Sequence, residues 1–288
     1  MSATIIDGTA IGNRIKQEIA AQTARLASEG KRVHLTAVIV GSTPAAEVYA
    51  NRQGEACRAV GIDYTLQTLP DDISQRQLRD EIRKLNKDKS VTGIMLHAPV
   101  PPHIDLARMQ FEIDVTKDVE GVNPANIGYV VYGHTLIAPC TAGAVVELIH
   151  STGIDLYGKE AVIVGASEIA GKPIALLLLG EGATPTLCHI GTRDLISHTR
   201  RADILVVAVG KPGLIGAAHV RAGAIVIDVG INRVKQPDGT SKTVGDVQFD
   251  AVQPIASHLT PVPGGVGPMT VAMLLKNTLR AAEIVLGK

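Results

Sequence analysis

The chain has no tryptophan, two phenylalanines and five tyrosines in 288 residues, and only three cysteines. So few aromatics leave no stacking platform for single-stranded nucleic acid. Cys57, Cys140 and Cys188 show no paired spacing, which argues against a disulfide framework and against a zinc site or other metal centre. Charge of either sign is not in excess, since 28 Lys and Arg balance 28 Asp and Glu. That removes the usual footprint of a nucleic-acid or anionic-membrane partner. No apolar run is long enough to span a bilayer, and the start carries no signal-peptide pattern. The expectation is a soluble, cytoplasmic α/β protein, long enough for two domains.

What is present is alternation of buried strands with helices. The stretch Ala161-Val-Ile-Val164 is a short β-branched run that Gly165 ends, and Pro173 stands where a first helical turn tolerates proline. Strand, glycine turn and helix together present backbone N–H groups to a phosphate. The spacing Gly165-x-Ser167-x-x-x-Gly171 departs from Gly-x-Gly-x-x-Gly, so alone it also fits a plain strand-to-helix turn. Further strands are expected at Thr186–Cys188, Ile204–Val209 and Ala224–Val229, with helices near Pro173–Gly180, Thr192–Arg200 and Ala217–Arg221 between them. This pattern is a doubly wound parallel sheet. Loops at Val209–Gly213 and Val229–Asn232 fall at strand C-terminal ends, where such sheets bind ligands.

The first half alternates less regularly. Ile11, Ile15, Ile19 and Leu26 mark one face of a helix reaching about Ser28. A strand from Leu35 ends at Gly41, and Pro44 opens a helix carrying Tyr49, Gln53 and Cys57 on one face. Asp63–Leu69 alternates as a strand, and Ser74 caps an amphipathic helix to Asn86. The strand Val91–His97 runs into three prolines, which places His97 at its C-terminal end. By position alone His97 is equally a packing residue. Lys117–Gly121 and Asn123–Asn126 read as a charged, solvated loop. Thr141 is expected to cap a helix to about Thr152 that bridges the domains. Thr260–Thr270, with three prolines and three glycines, has a stiff shape and lets a ligand approach the backbone. Thr270 is expected to cap a last helix through Ile284, which buries Leu274, Leu275, Leu279 and Ile284 against the first domain.

Taken together, Pro263-Gly-Gly-Val-Gly-Pro-Met-Thr270, Val40-Gly-x-x-Pro-Ala45 with Tyr49, Gly165-x-Ser167-x-x-x-Gly171-x-Pro173, Ile227–Asn232 and Val244-Gly-Asp-Val247 make the chain resemble the methylenetetrahydrofolate dehydrogenase/cyclohydrolase family almost end to end. The resemblance implies two α/β domains with a cleft between them, the second Rossmann-like, and a homodimer. Residues 1–140, completed by a helix at 270–288, would form the folate-binding catalytic domain, and 141–269 the NAD(P)-binding one. It implies a tetrahydrofolate derivative held by Tyr49, Glu120, Pro263, Gly264 and Gly265. It places a nicotinamide cofactor on Gly165, Ala166, Ser167, Ile169, Gly171, Arg193, Gly210, Ile231 and Thr270. The catalytic positions would be Tyr49, Gln53, His97 and Glu120.

Three of those positions depart from the family pattern. Gln53 stands in the place of its Lys, His97 in the place of its Gln, and Glu120 in the place of its second Asp. Ala142 likewise replaces a proline. Hydride transfer from the methylene carbon needs no protein base, only two rings in contact with water excluded. Hydrolysis of the methenyl product needs proton transfer, for which a tuned lysine is suited and glutamine is not. The expectation is therefore a dehydrogenase with weak or lost cyclohydrolase, unless His97 serves as base. Glu120 keeps the carboxylate that pairs with the pterin N–H groups but lengthens its arm. A non-catalytic homologue and a relative acting on another one-carbon carrier are the alternatives. The second strand of the nucleotide half ends Leu187-Cys-His-Ile190 without the acid that marks an NAD site, and Arg193 is the nearest strong cation, which favours NADP over NAD.

Overall fold

The computed structural model describes residues 2–41, 44–236 and 239–287. Its strands are β1 (Thr4–Ile5), β2 (His34–Val40), β3 (Asp63–Leu69), β4 (Gly93–Leu96), β5 (Glu160–Val164), β6 (Thr184–Cys188), β7 (Ile204–Val207), β8 (Ile225–Asp228), β9 (Asn232–Lys235), β10 (Ser241–Val244) and β11 (His258–Leu259). The chain is α/β and divides into two compact units. One takes the residues up to Asn13 together with Thr141–Thr270; the other takes Arg14–Cys140 and the residues from Val271 on.

The first of these units is built on a six-stranded parallel sheet in the order β1-β11-β8-β7-β5-β6. Its central strands read as apolar runs because both faces are covered: β7 and β8 are buried along their whole length. The strand expected at Thr186–Cys188 begins two residues earlier and takes in Pro185. A proline is tolerated there because β6 is the edge of the sheet. Residues 1–13 were expected in the other domain. They belong to this unit because β1 pairs in parallel with β11, Thr4 against His258. Two of the expected helices are shorter. Asp194 caps the first, confining it to Leu195–Thr199, and the second is a 3-10 turn at Ala217–His219.

The second unit holds a three-stranded parallel sheet in the order β3-β2-β4. Strand β2 lies in the middle and is buried from Leu35 to Val40, whereas β3 alternates because it is an edge. Ser74 caps the helix Gln75–Lys87 with a full capping box to Gln77, and Leu78 and Ile82 are buried beneath it. Each such fully buried side chain contributes about 1.5–3 kcal/mol. The long helices Gly8–Ser28 and Val266–Leu286 bury Ile15, Ile19 and Leu26, and Leu274, Leu275 and Leu279, respectively. Ile284 is only half-buried.

Three local expectations are corrected. Thr141 and Thr270 are not caps, since their helices start earlier, at Cys140 and Val266. The hydroxyl of Thr270 instead donates to Gly267 O within its own helix, 2.7 Å away. The segment Asn123–Asn126 is not loop: Asn123 accepts from Ala125 N and starts a helix, Pro124–Val131. No helix of the described residues is long and apolar enough to cross a membrane.

Candidate functional site

In the three-stranded sheet the chain leaves β2 on one side to reach β3 and returns on the other side as β4. The carboxyl ends of β2 and β4 therefore flank a topological switch point. A cavity of about 500 Å³ opens there, lined by Ile39–Gly41, Ala46, Tyr49, Asp71 and His97–Pro101. Of the motif Val40–Ala45, Ser42 and Thr43 lie outside the described residues.

Tyr49, Gln53 and Cys57 do share a helix face, and they descend it into the core. Tyr49 is 57% exposed, Gln53 only 6%, and Cys57 is fully buried. Gln53 is engaged in packing. Its Nε2 donates to Met95 Sδ at 3.1 Å, and its Oε1 accepts from Tyr64 OH at 3.4 Å. Above it, the rings of Tyr49 and His97 meet edge to face with centroids 5.8 Å apart. His97 follows β4, is 5% exposed, and bonds through its backbone N to Val38 O. Its Nε2 is buried without a hydrogen-bond partner. Burial holds its imidazole below the ordinary histidine value, so the ring is neutral near pH 7.

The loop expected to be solvated is largely buried. Lys117 donates to Leu85 O and Asp88 O at 3.0 and 2.7 Å. Asp118 is 1% exposed and accepts from Gly121 N, Asn123 N and Asn126 Nδ2. That carboxylate shapes the turn carrying Glu120. Asn277, from the last helix, pins the same turn by donating to Val119 O and Ala138 O, both at 2.9 Å. Sequence reasoning missed Asp118 and Asn277 as positioning residues. Glu120 presents a buried Oε2 with no partner. Burial, and then the Asp118 carboxylate, push its acid up to about 7. The Tyr49 hydroxyl is raised as well, by burial first and then by Glu120 and Cys140. Two unsatisfied buried groups, a neutral imidazole nitrogen and a carboxyl oxygen, are thus grouped around one exposed aromatic ring. Such a site takes a flat ligand with polar edges.

In the six-stranded sheet the switch point lies between β5 and β7. Gly165, Ala166, Ser167, Ile169 and Gly171 form one loop above β5. A Cβ at Gly165 would run into Ala208 O beyond β7, and one at Gly171 into Gly165 O, so both positions require glycine. Among the described residues no protein acceptor takes the backbone N–H groups from Ala166 to Ala170, whereas Gly171 N and Lys172 N, at the start of the helix Gly171–Gly180, donate to the hydroxyl and carbonyl oxygens of Ser167. Free N–H groups on a glycine-bounded loop that leads into a helix fit the phosphates of a dinucleotide. Ile169 and Ile231 stand out from this edge, 60% and 67% exposed. Gly210 is left-handed, with φ of 65°. Arg193 is exposed on the loop after β6, where Asp194 is occupied in capping. Pro263, Gly264 and Gly265 precede the last helix; a Cβ at Gly8 would run into Gly265 O, and one at Gly265 into Pro261 O and Thr260 Cβ.

A pair of buried aspartates, not singled out from the sequence, fixes this edge. Asp246 accepts from Val209 N and Gly210 N at 2.8 and 2.9 Å and from Asn232 Nδ2 at 2.8 Å. Asp228 accepts from the N–H groups of Gly230, Asp246 and Val247. The only signal was their place inside the quoted motifs.

Comparison with known proteins agrees with both halves. The family described as tetrahydrofolate dehydrogenase/cyclohydrolase, catalytic domain, matches residues 6–120, and its NAD(P)-binding domain matches residues 139–286. The chain is 47% identical over 279 residues to bifunctional protein FolD 3 of Roseobacter denitrificans, covering 97% of this chain and 95% of that protein. It superposes on the bifunctional FolD of Campylobacter jejuni with a TM-score of 0.93 at 42% identity, covering 98% of this chain and 99% of that one. It superposes on the Trypanosoma brucei enzyme complexed with NADP and an inhibitor with a TM-score of 0.92 at 37% identity, covering all of both chains. The chain therefore belongs to the tetrahydrofolate dehydrogenase/cyclohydrolase family.

Proposed function

We propose that this chain is an NADP-dependent 5,10-methylenetetrahydrofolate dehydrogenase of one-carbon metabolism whose methenyltetrahydrofolate cyclohydrolase activity is weak or absent. The observation that carries the finer part of this reading is Gln53. It is buried, bonded to Met95 and Tyr64, and has no proton to exchange near neutral pH.

The dehydrogenase reading is supported by the relatives, which are named as bifunctional FolD enzymes, and by the free N–H groups above β5. In the forward step a folate nitrogen lone pair expels hydride from the methylene carbon and leaves the methenyl cation. The bound dinucleotide supplies the hydride acceptor. The residues here have to orient and to exclude water. Tyr49 offers the face on which the pterin stacks, and Glu120 accepts from its amino and ring N–H groups once ionised. Pro263, Gly264 and Gly265 line the substrate, and Gly165–Gly171, Gly210, Ile231 and Thr270 hold the nucleotide. The Trypanosoma brucei relative was solved with NADP. Arg193, exposed and with no free acid beside it, suits a ribose 2′-phosphate. Residues 14–140 with those from 271 on take the folate role, and 141–270 with the residues up to Asn13 the nucleotide role, in a cytoplasmic homodimer.

One observation favours a second reading of the hydrolytic step. His97 Nε2 is unpartnered, neutral, and lines the cavity, so it is able to accept a proton from an attacking water. A spectroscopic assay separates the readings by following reduced nicotinamide and the methenyl product independently. Accumulation of methenyltetrahydrofolate supports the loss of hydrolysis. Its decay faster than the spontaneous rate, abolished in His97→Ala, moves the base to His97. Absence of both signals refutes the dehydrogenase reading.

A further inference from the structure

We propose that this protein carries a second ligand site, for a small organic polyanion, between the helices Gln75–Lys87 and Leu106–Phe111. A cavity of about 420 Å³ opens there, lined by Arg76, Arg79 and Arg108 together with Gln75, Glu112 and Phe111. The positive charge at this place is not balanced within the protein. Arg108 pairs with Asp105 at 3.2 Å, and Glu112 is taken by Arg83 at 3.0 Å. Among the described residues Arg76 and Arg79 form no ion pair. Asp80, the next acid along the helix, acts on Lys84. The Nε of Arg79 is buried and has no hydrogen-bond partner, so its N–H has given up water and gained nothing in return.

Position on the helix sharpens the imbalance. Arg76 and Arg79 are three residues apart, hence on one face, and like charges so placed repel. They occupy the first two turns of a helix that has no acidic residue in its first turn. Cations there also oppose the positive end of the helix dipole. An anion in the cavity relieves the unmade bond, the mutual repulsion and the dipole conflict together. Guanidinium forks match carboxylate and phosphate groups in a two-point fashion. Two unpaired arginines call for at least two anionic groups on the ligand. Phe111, 49% exposed at the rim, supplies an apolar wall for its carbon skeleton. None of these residues belongs to the folate or nucleotide positions, so this site stands or falls apart from the dehydrogenase reading.

The test is isothermal titration of the full chain with citrate and with pyrophosphate at constant ionic strength, sodium chloride serving as the control, while the Arg79 Nε–Hε resonance is followed by NMR. The expected result is one saturable site, a shift of that resonance on filling it, and binding weakened at least tenfold in Arg79→Gln and several-fold in Arg76→Gln. Dehydrogenase activity stays unchanged in both variants. Preference for citrate assigns carboxylates to the site and preference for pyrophosphate assigns phosphates; either upholds the proposal. Should Arg79→Gln not fold, the exposed Arg76→Gln decides the matter. No saturable heat with either probe, or variants that bind like the parent chain, overturn it.

Discussion

Replacing Glu120 by glutamine tests whether that carboxyl is carried as an acid in the folded protein. Its buried Oε2 has no partner, and burial with the neighbouring Asp118 charge raises it from the ordinary 4.5 to about 7. The sign follows from proton uptake. Between these two values the folded chain holds a proton that the unfolded chain has released, so stability falls as pH rises. The contribution is complete below about pH 4.5 and is lost by the time pH has passed 7. A shift of about 2.5 units corresponds to about 3 kcal/mol, of which roughly 2.5 kcal/mol disappears between about pH 5 and 8. Glutamine keeps the shape and cannot ionise, so the variant lacks this component while every other titrating group remains. Urea unfolding of both chains at half-unit steps of pH measures it as a difference. The parent chain should lose about 2.5 kcal/mol relative to Glu120→Gln across that interval, and KM for the folate should fall in the parent as the carboxyl ionises. Parallel stability curves for the two chains would refute the reasoning, because they would mean that Glu120 is ionised throughout.

Gln53→Lys restores an exchangeable proton at the position now bonded to Met95 and Tyr64; a rise in methenyl hydrolysis of about 100-fold is expected, read as decay of the methenyl absorbance. Gly171→Ala forces a methyl group into Gly165 O, and is expected to cost about 1–3 kcal/mol in urea unfolding and to weaken NADP binding by calorimetry more than folate binding. Asp246→Ala strands the N–H groups of Val209 and Gly210 and the amide of Asn232; a loss of about 2–4 kcal/mol in denaturant unfolding is expected, against a few tenths for the exposed Asp250→Ala.

How far the molecule was legible depends on whether a residue's partner is local. The strands β2, β5, β7 and β8 could be read because a central parallel strand is apolar along its length, whatever lies beside it. The helix from Ser74 could be read because its cap closes on Gln77 three residues away. Strands β1 and β11 could not, since two residues carry no periodicity and exist as strands only through each other and β8. The hairpin β9–β10 is polar on both arms and leaves no apolar signature. The same rule governs the site. Tyr49 and His97 were placed by strand ends and helix spacing, but their edge-to-face contact spans nearly fifty residues of chain. Lys117 and Asp118 read as solvated, because a sequence displays a charge and hides what it bonds to. The partners of Lys117 are carbonyls about thirty residues upstream, and those of Asp118 are N–H groups of a turn that exists only once Asp118 has folded it. Gln53 is the instructive case. As a letter it is a polar residue in a catalytic place, and it reads as altered chemistry. In the fold its amide and carbonyl are both committed sideways, to a thioether and a phenol, while the unmet hydrogen bonds belong to His97 and Glu120. The unmet polar demand of the cavity lies at the strand end and the turn, not on the helix.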